Sequence, residues 1–412
     1  MLNRTVVPVL GVLTVLSSPA LASTWYVNGV NGDNGNDCKT QATACARIGH
    51  AISLAASGDT IQIATAAYKE HLSIPFNLTL KGAKAATTII DGTDSLNVVT
   101  VGAGISLTLS NLTIERGVGY TGGGGVDNSG TLIVNDSIFY LNTALSGGAI
   151  LNTGKAIIRN TSFNANSPYF FGHSASCGAI DNRSAMTITD STFYDNYTNN
   201  NSTAGGAICN GGTLTITAST FSNNSSAGNN AGYGGAIFAY AGTLSVTNST
   251  FSANSATTSG GAIYNEGGTV QISNSTFGNN PETIGGGGGA LSNAGSSFLI
   301  QNSIVVNSAN GGNCAGSITS DGYNLSSDST CLFSSNGDLN NENPKLGPLQ
   351  KNGGPTETMA LQNGSPALDA GNPAGCRDFA GNLLGTDQRG RPRPGGGETT
   401  GCDMGAYESQ TH

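Results

Sequence analysis

The chain has 412 residues and a formal net charge of −9, and only 10% of its residues are charged. An acidic balance of this kind argues against a nucleic-acid partner and against electrostatic docking on anionic lipid. Glycine is abundant, with 61 residues. That composition alone would suggest disorder, but apolar and aromatic residues recur at fixed intervals, which favours an ordered repeat protein.

Residues 1–22 are typical of a bacterial secretory signal peptide. Arg4 precedes an apolar run from Val6 to Leu16, and Ala20-Leu21-Ala22 fits the small-residue cleavage site of such peptides. The apolar run is too short to span a membrane, and no later segment has 18 uninterrupted apolar residues. We therefore expect a secreted or cell-surface bacterial protein with no transmembrane segment.

Residues 23–57 are predicted to form an N-terminal cap. A first strand at 24–28 leads into a loop rich in Gly, Asn and Asp, in which Asp33 and Asp37 could hold a calcium ion or simply form turns. Apolar residues at helical spacing predict a short amphipathic helix over 46–57. Such a helix would cover the open end of a solenoid, whose first coil would otherwise expose free strand edges.

Residues 58–310 carry the repeats, and one phrase occurs seven times between Gly122 and Val306. It begins with Gly-Gly-Ala-Ile and ends with Phe-x-x-Asn. Its first apolar positions, spaced by 24 to 30 residues, are Val126, Ile150, Ile180, Ile208, Ile237, Ile263 and Leu291. A period of this length indicates a solenoid of stacked coils.

The spacing inside each copy predicts the architecture of a coil. The aromatic position follows the first apolar position by 13 or 14 residues, whereas the distance onward to the next copy varies from 11 to 17. The constant interval requires strands held in register, and the variable interval is a loop. We predict an all-β, right-handed parallel β-helix of about ten coils, in which the Phe column and two Asn columns are stacked structural ladders.

Eight cysteines behind a signal peptide indicate a disulfide framework. Proximity in the sequence favours Cys38 with Cys45, Cys314 with Cys331, and Cys376 with Cys402. Cys177 and Cys209 lie in neighbouring copies but at different positions of the phrase. They are either a fourth disulfide or two small buried apolar residues.

Residues 311–412 are predicted to form an irregular C-terminal cap closed by disulfides. Five prolines between Pro344 and Pro373 exclude long central strands. The group Arg389, Arg391 and Arg393 could bind an acidic polymer, but pairing with acidic residues of the rod is the alternative that we prefer.

Two parts of the chain carry family resemblances. The Gly-Gly-Ala-Ile and Phe-x-x-Asn repeats resemble those of chlamydial polymorphic outer-membrane proteins and of the β-helix group that includes pectate lyases. The tail, with Leu346-Gly-Pro-Leu-Gln-Lys-Asn-Gly-Gly-Pro355, Gly364-Ser-Pro-Ala-Leu-Asp-Ala-Gly371 and Gly401-Cys-Asp-Met-Gly-Ala-Tyr-Glu408, is similar to the choice-of-anchor Q domain of secreted bacterial proteins. These resemblances imply a surface or secreted β-helix protein, and they imply no particular reaction.

Two functions are consistent with the sequence. The first is non-catalytic adhesion or glycan binding to a polysaccharide or cell-surface partner. It would use aromatic residues of the variable loops, namely Tyr169, Phe170, Phe171, His173, Tyr197 and Tyr233, unless these residues merely cover one another.

The second function is a polysaccharide lyase or glycoside hydrolase of the pectate-lyase type. Hydrolysis needs clustered carboxylates, and lyases of this fold use a basic residue near calcium. The weak catalytic candidates are Asp181, Arg183, Asp195 and His173, and their convergence in one groove would favour this alternative. No cofactor is expected, with calcium as the one alternative.

Overall fold

The computed structural model describes residues 22–168, 177–198, 205–228, 232–284, 287–395 and 401–410. Three long sheets, each built of parallel strands, run the length of the molecule. Each complete coil contributes one strand to each sheet, so the chain forms a parallel β-helix as predicted. About eight turns are regular, slightly fewer than the ten coils expected, and irregular coils at both ends extend the sheets further.

Sheet I contains the strands with the Thr-Leu-x-Ile pattern. Its twelve strands are Thr24–Val27, Thr60–Ile63, Leu78–Gly82, Ser106–Ser110, Thr131–Asn135, Lys155–Arg159, Ala185–Thr189, Thr213–Thr217, Thr243–Thr247, Thr269–Ser273, Ser297–Gln301 and Thr319–Ser320. Along each strand, apolar residues alternate with polar ones, which places every second side chain in the core.

Sheet II contains the Phe strands. Its twelve strands are Ala66–Lys69, Thr88–Asp91, Thr113–Glu115, Ile138–Tyr140, Ser162–Asn164, Thr192–Tyr194, Thr220–Ser222, Thr250–Ser252, Thr276–Gly278, Ile304–Val306, Leu325–Ser326 and Leu339–Asn340. From Asn111 to Asn302, a single residue with positive φ, such as Asp136, Asn160 or Asp190, turns each coil from sheet I into sheet II.

Sheet III contains the strands that follow Gly-Gly-Ala. Its ten strands are Leu72–Ile74, Val99–Val101, Val126–Asn128, Ile150–Asn152, Ile180–Asn182, Ile208–Asn210, Ile237–Ala239, Ile263–Asn265, Leu291–Asn293 and Cys314–Gly316. Two small parallel sheets follow sheet II in some coils. One contains Val118–Gly119, Thr143–Ala144 and Ser167–Pro168, and the other contains Tyr197–Thr198, Ser225–Ser226 and Ser255–Ala256.

The predicted ladders are present in the core. The rings from Phe139 to Phe277 are fully buried and stack with centroid distances of 4.5 to 4.9 Å. The column from Asn142 to Asn280 is also fully buried, and from Asn142 to Asn254 each side-chain amide donates to the Asn of the next coil. The second Asn column is broken at Ala239, where Asn210 donates to the carbonyl of Thr243 instead. The ladders therefore have a structural role.

The N-terminal cap is joined to the rod more closely than expected. Its first strand, Thr24–Val27, pairs with Thr60–Ile63 and is the first strand of sheet I. The helix is shorter than predicted and spans Ile48–Leu54, and a 3-10 turn follows at Ala85–Thr87. The carboxylate of Asp59 accepts hydrogen bonds from the indole of Trp25 and from the backbone N–H groups of Ser23 and Ala56.

The structure contains four disulfides. Cys38–Cys45, Cys314–Cys331 and Cys376–Cys402 are the predicted pairs, and Cys177 is bonded to Cys209. Among the described residues, no helix is long and apolar enough to cross a bilayer.

The C-terminal segment begins as a continuation of the solenoid. Coil strands continue to Leu339–Asn340, beyond the boundary at residue 310, and an antiparallel hairpin of Leu346–Gln350 and Thr358–Leu361 follows. From here the cap folds back over sheet II, where Thr220 donates to the carbonyl of Glu357 and Thr250 to the side chain of Gln388.

The arginine group of the tail is mostly internal to this cap. Arg389 pairs with Asp387 at 2.7 Å and Arg393 with Glu408 at 2.9 Å, and all four side chains are buried. These acidic partners belong to the cap, not to the rod as we expected. Asp387 is two residues from Arg389, and Glu408 belongs to the final segment of the same cap as Arg393. The ion pairs therefore stabilise the cap itself.

Candidate functional site

The most site-like cavity lies on the outer face of sheet III. The middle residues of its strands point outward and stack in register as Asp127, Leu151, Asp181, Cys209, Phe238 and Tyr264. Two residues further on, the turn supplies a second outward column. A cavity of about 300 Å³, here called the Asp181 cavity, is lined by Cys177, Asp181, Arg183, Cys209, Phe238, Tyr240 and Glu266.

Asp181 and Arg183 form the polar centre of this cavity. Oδ2 of Asp181 accepts hydrogen bonds from Nε of Arg183 at 2.9 Å and from Nη2 at 2.7 Å, and Nη2 also donates to Ser146 at 3.1 Å. Asp181 is only 3% exposed, and its Oδ1 has no hydrogen-bond partner among the described residues. Burial raises the pKa of Asp181, although Arg183 opposes the shift.

Tyr240 reaches this ion pair from two coils away. The residue between them in the same outward column is Gly211, and a side chain there would clash with the Tyr240 ring. The absence of a side chain at Gly211 therefore lets Tyr240 lie along the sheet toward Arg183. Burial raises the pKa of Tyr240, and the negative charge of Asp181 adds to the shift.

An aromatic and sulfur-rich wall forms the other side of the cavity. The Cys177–Cys209 disulfide packs with Phe238, and Tyr233, Tyr240 and Tyr264 pack against this cluster. The rings of Tyr233 and Tyr264 are 4.6 Å apart, and those of Phe238 and Tyr264 are 5.9 Å apart. The cavity thus combines aromatic surface with a few hydrogen-bonding groups, as small-molecule sites commonly do.

The structure separates residues that the sequence hypotheses had grouped. Asp181 and Arg183 come together, but Asp195 lies exposed, with φ of 55°, in the turn after the sheet II strand Thr192–Tyr194. It is not in the Asp181 cavity. Tyr169, Phe170, Phe171 and His173 lie outside the described residues.

The aromatic residues predicted to bind a ligand from the variable loops are also separated from one another. Tyr197 is 40% exposed in a two-residue strand, whereas Tyr233 packs in the wall described above. Phe238, Tyr240, Tyr264 and Glu266 were not anticipated. The repeated phrase could have revealed these four residues, because the residues one and three positions after its first apolar position point outward.

The loop proposed as an alternative calcium site forms hydrogen-bonded turns. Asp33 accepts a bond from the N–H of Gly35, and Asp37 accepts bonds from Thr43 and from the N–H of Lys39. The hydrogen bond from Thr43 is the main reason that the pKa of Asp37 is lowered. Calcium binding at these two residues stays a prediction.

The two carboxylic residues of the cavity, Asp181 and Glu266, belong to coils that are three strand spacings apart. Asp181 and Tyr264 are separated by three strand spacings, about 14 Å at about 4.8 Å each, and Glu266 follows Tyr264 by two residues. Glycosidases that use two carboxyl groups hold them roughly 5 to 9.5 Å apart. The backbone positions of Asp181 and Glu266 are therefore further apart than the two carboxyl groups of such enzymes.

Comparison with known proteins identifies the fold. The sequence matches no protein-family model and no curated protein. Among solved structures, the pectate lyase Pel9A is similar over 94% of this chain and 97% of its own, with a TM-score of 0.53 and 14% identity. A structure of XylC with xylose is similar over 94% of this chain and 98% of its own, with a TM-score of 0.52 and 10% identity. At these identities, the similarity shows a shared pectate-lyase-like β-helix and nothing finer.

Proposed function

We propose that this protein is a secreted or cell-surface bacterial protein that binds an extracellular polysaccharide in the Asp181 cavity without cleaving it. The observation that carries the proposal is the Asp181–Arg183 pair set beside the wall of Phe238, Tyr240 and Tyr264. Aromatic rings pack against the apolar faces of sugars, while the polar groups of the cavity meet the hydroxyl groups.

The ligand class is also supported by the proteins of the same fold. XylC was solved with xylose, and Pel9A is a pectate lyase. Both names concern saccharides. We infer that the present chain uses its similar rod for a saccharide as well.

The state of Arg183 favours binding over catalysis. Two of its N–H groups donate to Asp181, so the guanidinium is held as a cation and is poorly placed to act as a base. Asp181 is in turn occupied on one oxygen by Arg183. Its other oxygen, Oδ1, is buried without a partner among the described residues, so the half-exposed guanidinium of Arg183 is the polar group of the pair that a ligand hydroxyl meets.

The proposed location outside the cytoplasm is supported by two features of the chain. Four disulfides are typical of an oxidising environment. The N-terminal segment has the pattern of a signal peptide. The resemblance of the tail to choice-of-anchor Q domains, and of the repeats to polymorphic outer-membrane proteins, fits the same proposal.

Titration calorimetry of the mature protein with xylan, β-glucan and polygalacturonate would test the binding function. Runs with calcium and with EDTA would also test the proposed calcium dependence. We expect Tyr240→Ala to weaken binding at least 10-fold, and Tyr197→Ala, which removes an exposed tyrosine elsewhere, to leave it unchanged. If Tyr240→Ala binds normally, the cavity is not the site; loss of binding in Tyr197→Ala would place the site on the variable loops instead.

A polysaccharide lyase or hydrolase is the second candidate. It is favoured by the buried carboxyl of Asp181, whose pKa is raised, next to a cation on the outer face of the sheet. The same polysaccharides, followed by absorbance of unsaturated products and by reducing ends, distinguish the two functions. Turnover that Asp181→Asn and Arg183→Lys each abolish would replace the binding proposal by this one.

A further inference from the structure

Sheet II has an outer face that the cap covers only in part. Toward the C-terminal end, Thr220, Thr250 and Thr276 are buried beneath the cap and bonded to it. In the preceding coils, Tyr140 is 38% exposed and Tyr194 is 44% exposed. A groove of about 540 Å³, here called the sheet II groove, lies between these open strands and the cap segment 351–357.

The floor of this groove repeats from coil to coil. Tyr140, Asn164 and Tyr194 pair in register and form one outward column, and Ile138, Ser162 and Thr192 form the next. Tyr140 and Tyr194 are two strand spacings apart, about 10 Å along the axis. The rise of one coil is close to the length of one pyranose unit in an extended chain, so the two rings lie in step with alternate sugars.

The edges of the groove are fixed and mostly acidic. Asp136 and Asp190 occupy the turns along one side, and Asp136 accepts a hydrogen bond from Asn160 at 2.6 Å. Lys351 and Glu357 lie on the cap side. The cap wall is held in place because Thr356 donates to the carbonyl of Ala218 and Gln388 donates to Thr356.

These features indicate which class of polymer the groove can bind. In stacked coils, the backbone N–H and C=O groups are directed along the axis and bonded between coils, so the face offers no strand edge to an extended polypeptide. It offers hydroxyl, amide and carboxylate groups together with the ring of Tyr194, and the exposed ring of Tyr140 follows in the same outward column beside the groove. Three carboxylates against one lysine, on a chain of net charge −9, oppose an acidic polymer.

We propose that the sheet II groove is a second saccharide site, distinct from the Asp181 cavity, and that it takes an extended polysaccharide without carboxylate groups along the axis of the rod. Tyr194 stacks on a sugar inside the groove, Tyr140 stacks on a second sugar where the chain continues beside the groove along the same column, and the side chains of the turns bond to hydroxyl or amino groups. The cap closes the groove at Thr356 and stops the chain there.

The test uses the full mature protein and three probes of equal length, namely cellohexaose, hexaglucosamine and hexagalacturonate. The titrations are made in the Tyr240→Ala variant, in which the Asp181 cavity is impaired and only the sheet II groove is intact. We expect cellohexaose or hexaglucosamine still to bind there with the affinity of the groove alone, and the added Tyr194→Ala change to weaken that binding at least 10-fold. Because the two variants change different sites, the failure of one proposal can be recognised without affecting the test of the other.

A charge reversal at the cap edge checks the specificity. The Glu357 side chain lines the groove, whereas its backbone carbonyl makes the bond to Thr220. Glu357→Lys should therefore keep the cap docked and shift preference toward hexagalacturonate by at least 5-fold relative to hexaglucosamine. The proposal is overturned if neither uncharged nor amino-sugar probe binds, if Tyr194→Ala binds like the wild type, or if hexagalacturonate is the preferred ligand of the unmodified groove.

Discussion

Replacement of Asp59 by Asn is expected to destabilise the N-terminal cap by about 3 kcal/mol. The carboxylate is 4% exposed, and it accepts bonds of 2.6 Å from the N–H of Ser23, 2.7 Å from the indole of Trp25 and 2.9 Å from the N–H of Ala56. The side chain of Asn has the same shape but keeps only one acceptor oxygen. Its NH2 group therefore faces at least one of the three donors. The loss is one charge-assisted bond, roughly 1.5 to 3 kcal/mol, plus weakening of the other two.

Trp25 makes this change measurable at the place where it occurs. It is the only tryptophan of the chain and is 8% exposed, so its fluorescence reports unfolding of this cap. In repeat proteins, ends and interior coils open with different free energies, and a local probe is therefore required. The measurement is a urea titration at pH 7 of the wild type and the Asp59→Asn variant.

The hydrogen bonds to Asp59 also make the stability of the cap depend on pH, and the sign of that dependence can be predicted. Although burial opposes ionisation, the bonds from Trp25, Ala56 and Ser23 lower the pKa of Asp59 below its ordinary value. Its contribution is therefore complete above the pKa of an unfolded Asp, about 4, and is lost as the pH falls from there through the lower folded pKa. Asp59→Asn should lack this acid-dependent loss.

Asp33→Asn is the matched control, since it removes one negative charge from the same cap and keeps an oxygen for the N–H of Gly35. It should change the free energy of unfolding by less than about 0.5 kcal/mol, as exposed substitutions usually do. A loss below about 1 kcal/mol in Asp59→Asn, or an unchanged acid transition, would refute the assignment of this carboxylate as the group that holds the cap.

Three further changes probe the rod and its C-terminal cap. Phe193→Ala removes a fully buried ring stacked at 4.6 and 4.5 Å on its neighbours, and should cost about 3 to 5 kcal/mol in chemical denaturation followed by circular dichroism; a loss under 2 kcal/mol would mean that the ladder closes up. Asn196→Ala removes the bonds that the Asn196 amide donates to the carbonyl of Phe163 and to the next Asn, and should cost about 2 to 4 kcal/mol in the same assay, with Asn196→Asp at least as disruptive because its buried carboxylate faces two acceptors; a nearly neutral Asn196→Asp variant would contradict a role through donated bonds. Joint replacement of Cys376 and Cys402 by Ser opens a 26-residue separation and should lower cap stability by about 3 to 4 kcal/mol, seen as faster proteolysis of the cap than of the coils; unchanged cleavage would show that the ion pairs suffice.

Much of the fold could be predicted because one environment recurs in every coil. Phe193 has the same neighbours as Phe163 and Phe221, so a repeated letter in the sequence reports a repeated position in space. The coils near each end of the rod repeat the sequence phrase less strictly. The first strand of sheet I and the coils after residue 310 were consequently assigned to caps.

The site could be predicted only in part, because function uses the positions that do not repeat. Asp181 and Arg183 are two residues apart on one outward edge and were found together. Asp195 is close in sequence but follows sheet II, and its positive φ directs the chain into a turn on another side. The contact of Tyr240 with the site depends on the missing side chain at Gly211, one coil away, and no pattern within one copy shows it.

The Cys177–Cys209 bond illustrates the same difference. The two residues occupy different positions of the phrase, which weakened the case for pairing. In the structure, Cys209 points outward from its strand, and Cys177, which is bonded to it, lies three residues before the preceding strand, Ile180–Asn182. Loop paths between coils decide such contacts, and the variable interval hides them.

The uniform stacking of the ladders has a consequence for how the gene can change. Because Phe lies on Phe and the buried Asn of the column from Asn142 to Asn280 lies on Asn, deletion of residues 237–262 would place Ile263 next to Ile208 and Phe277 next to Phe221 without creating a new kind of contact in the core of the rod. Duplication would lengthen the rod in the same way. Recombination between copies can therefore alter the reach of the molecule in whole coils, while selection acts separately on the outward residues that face its ligands.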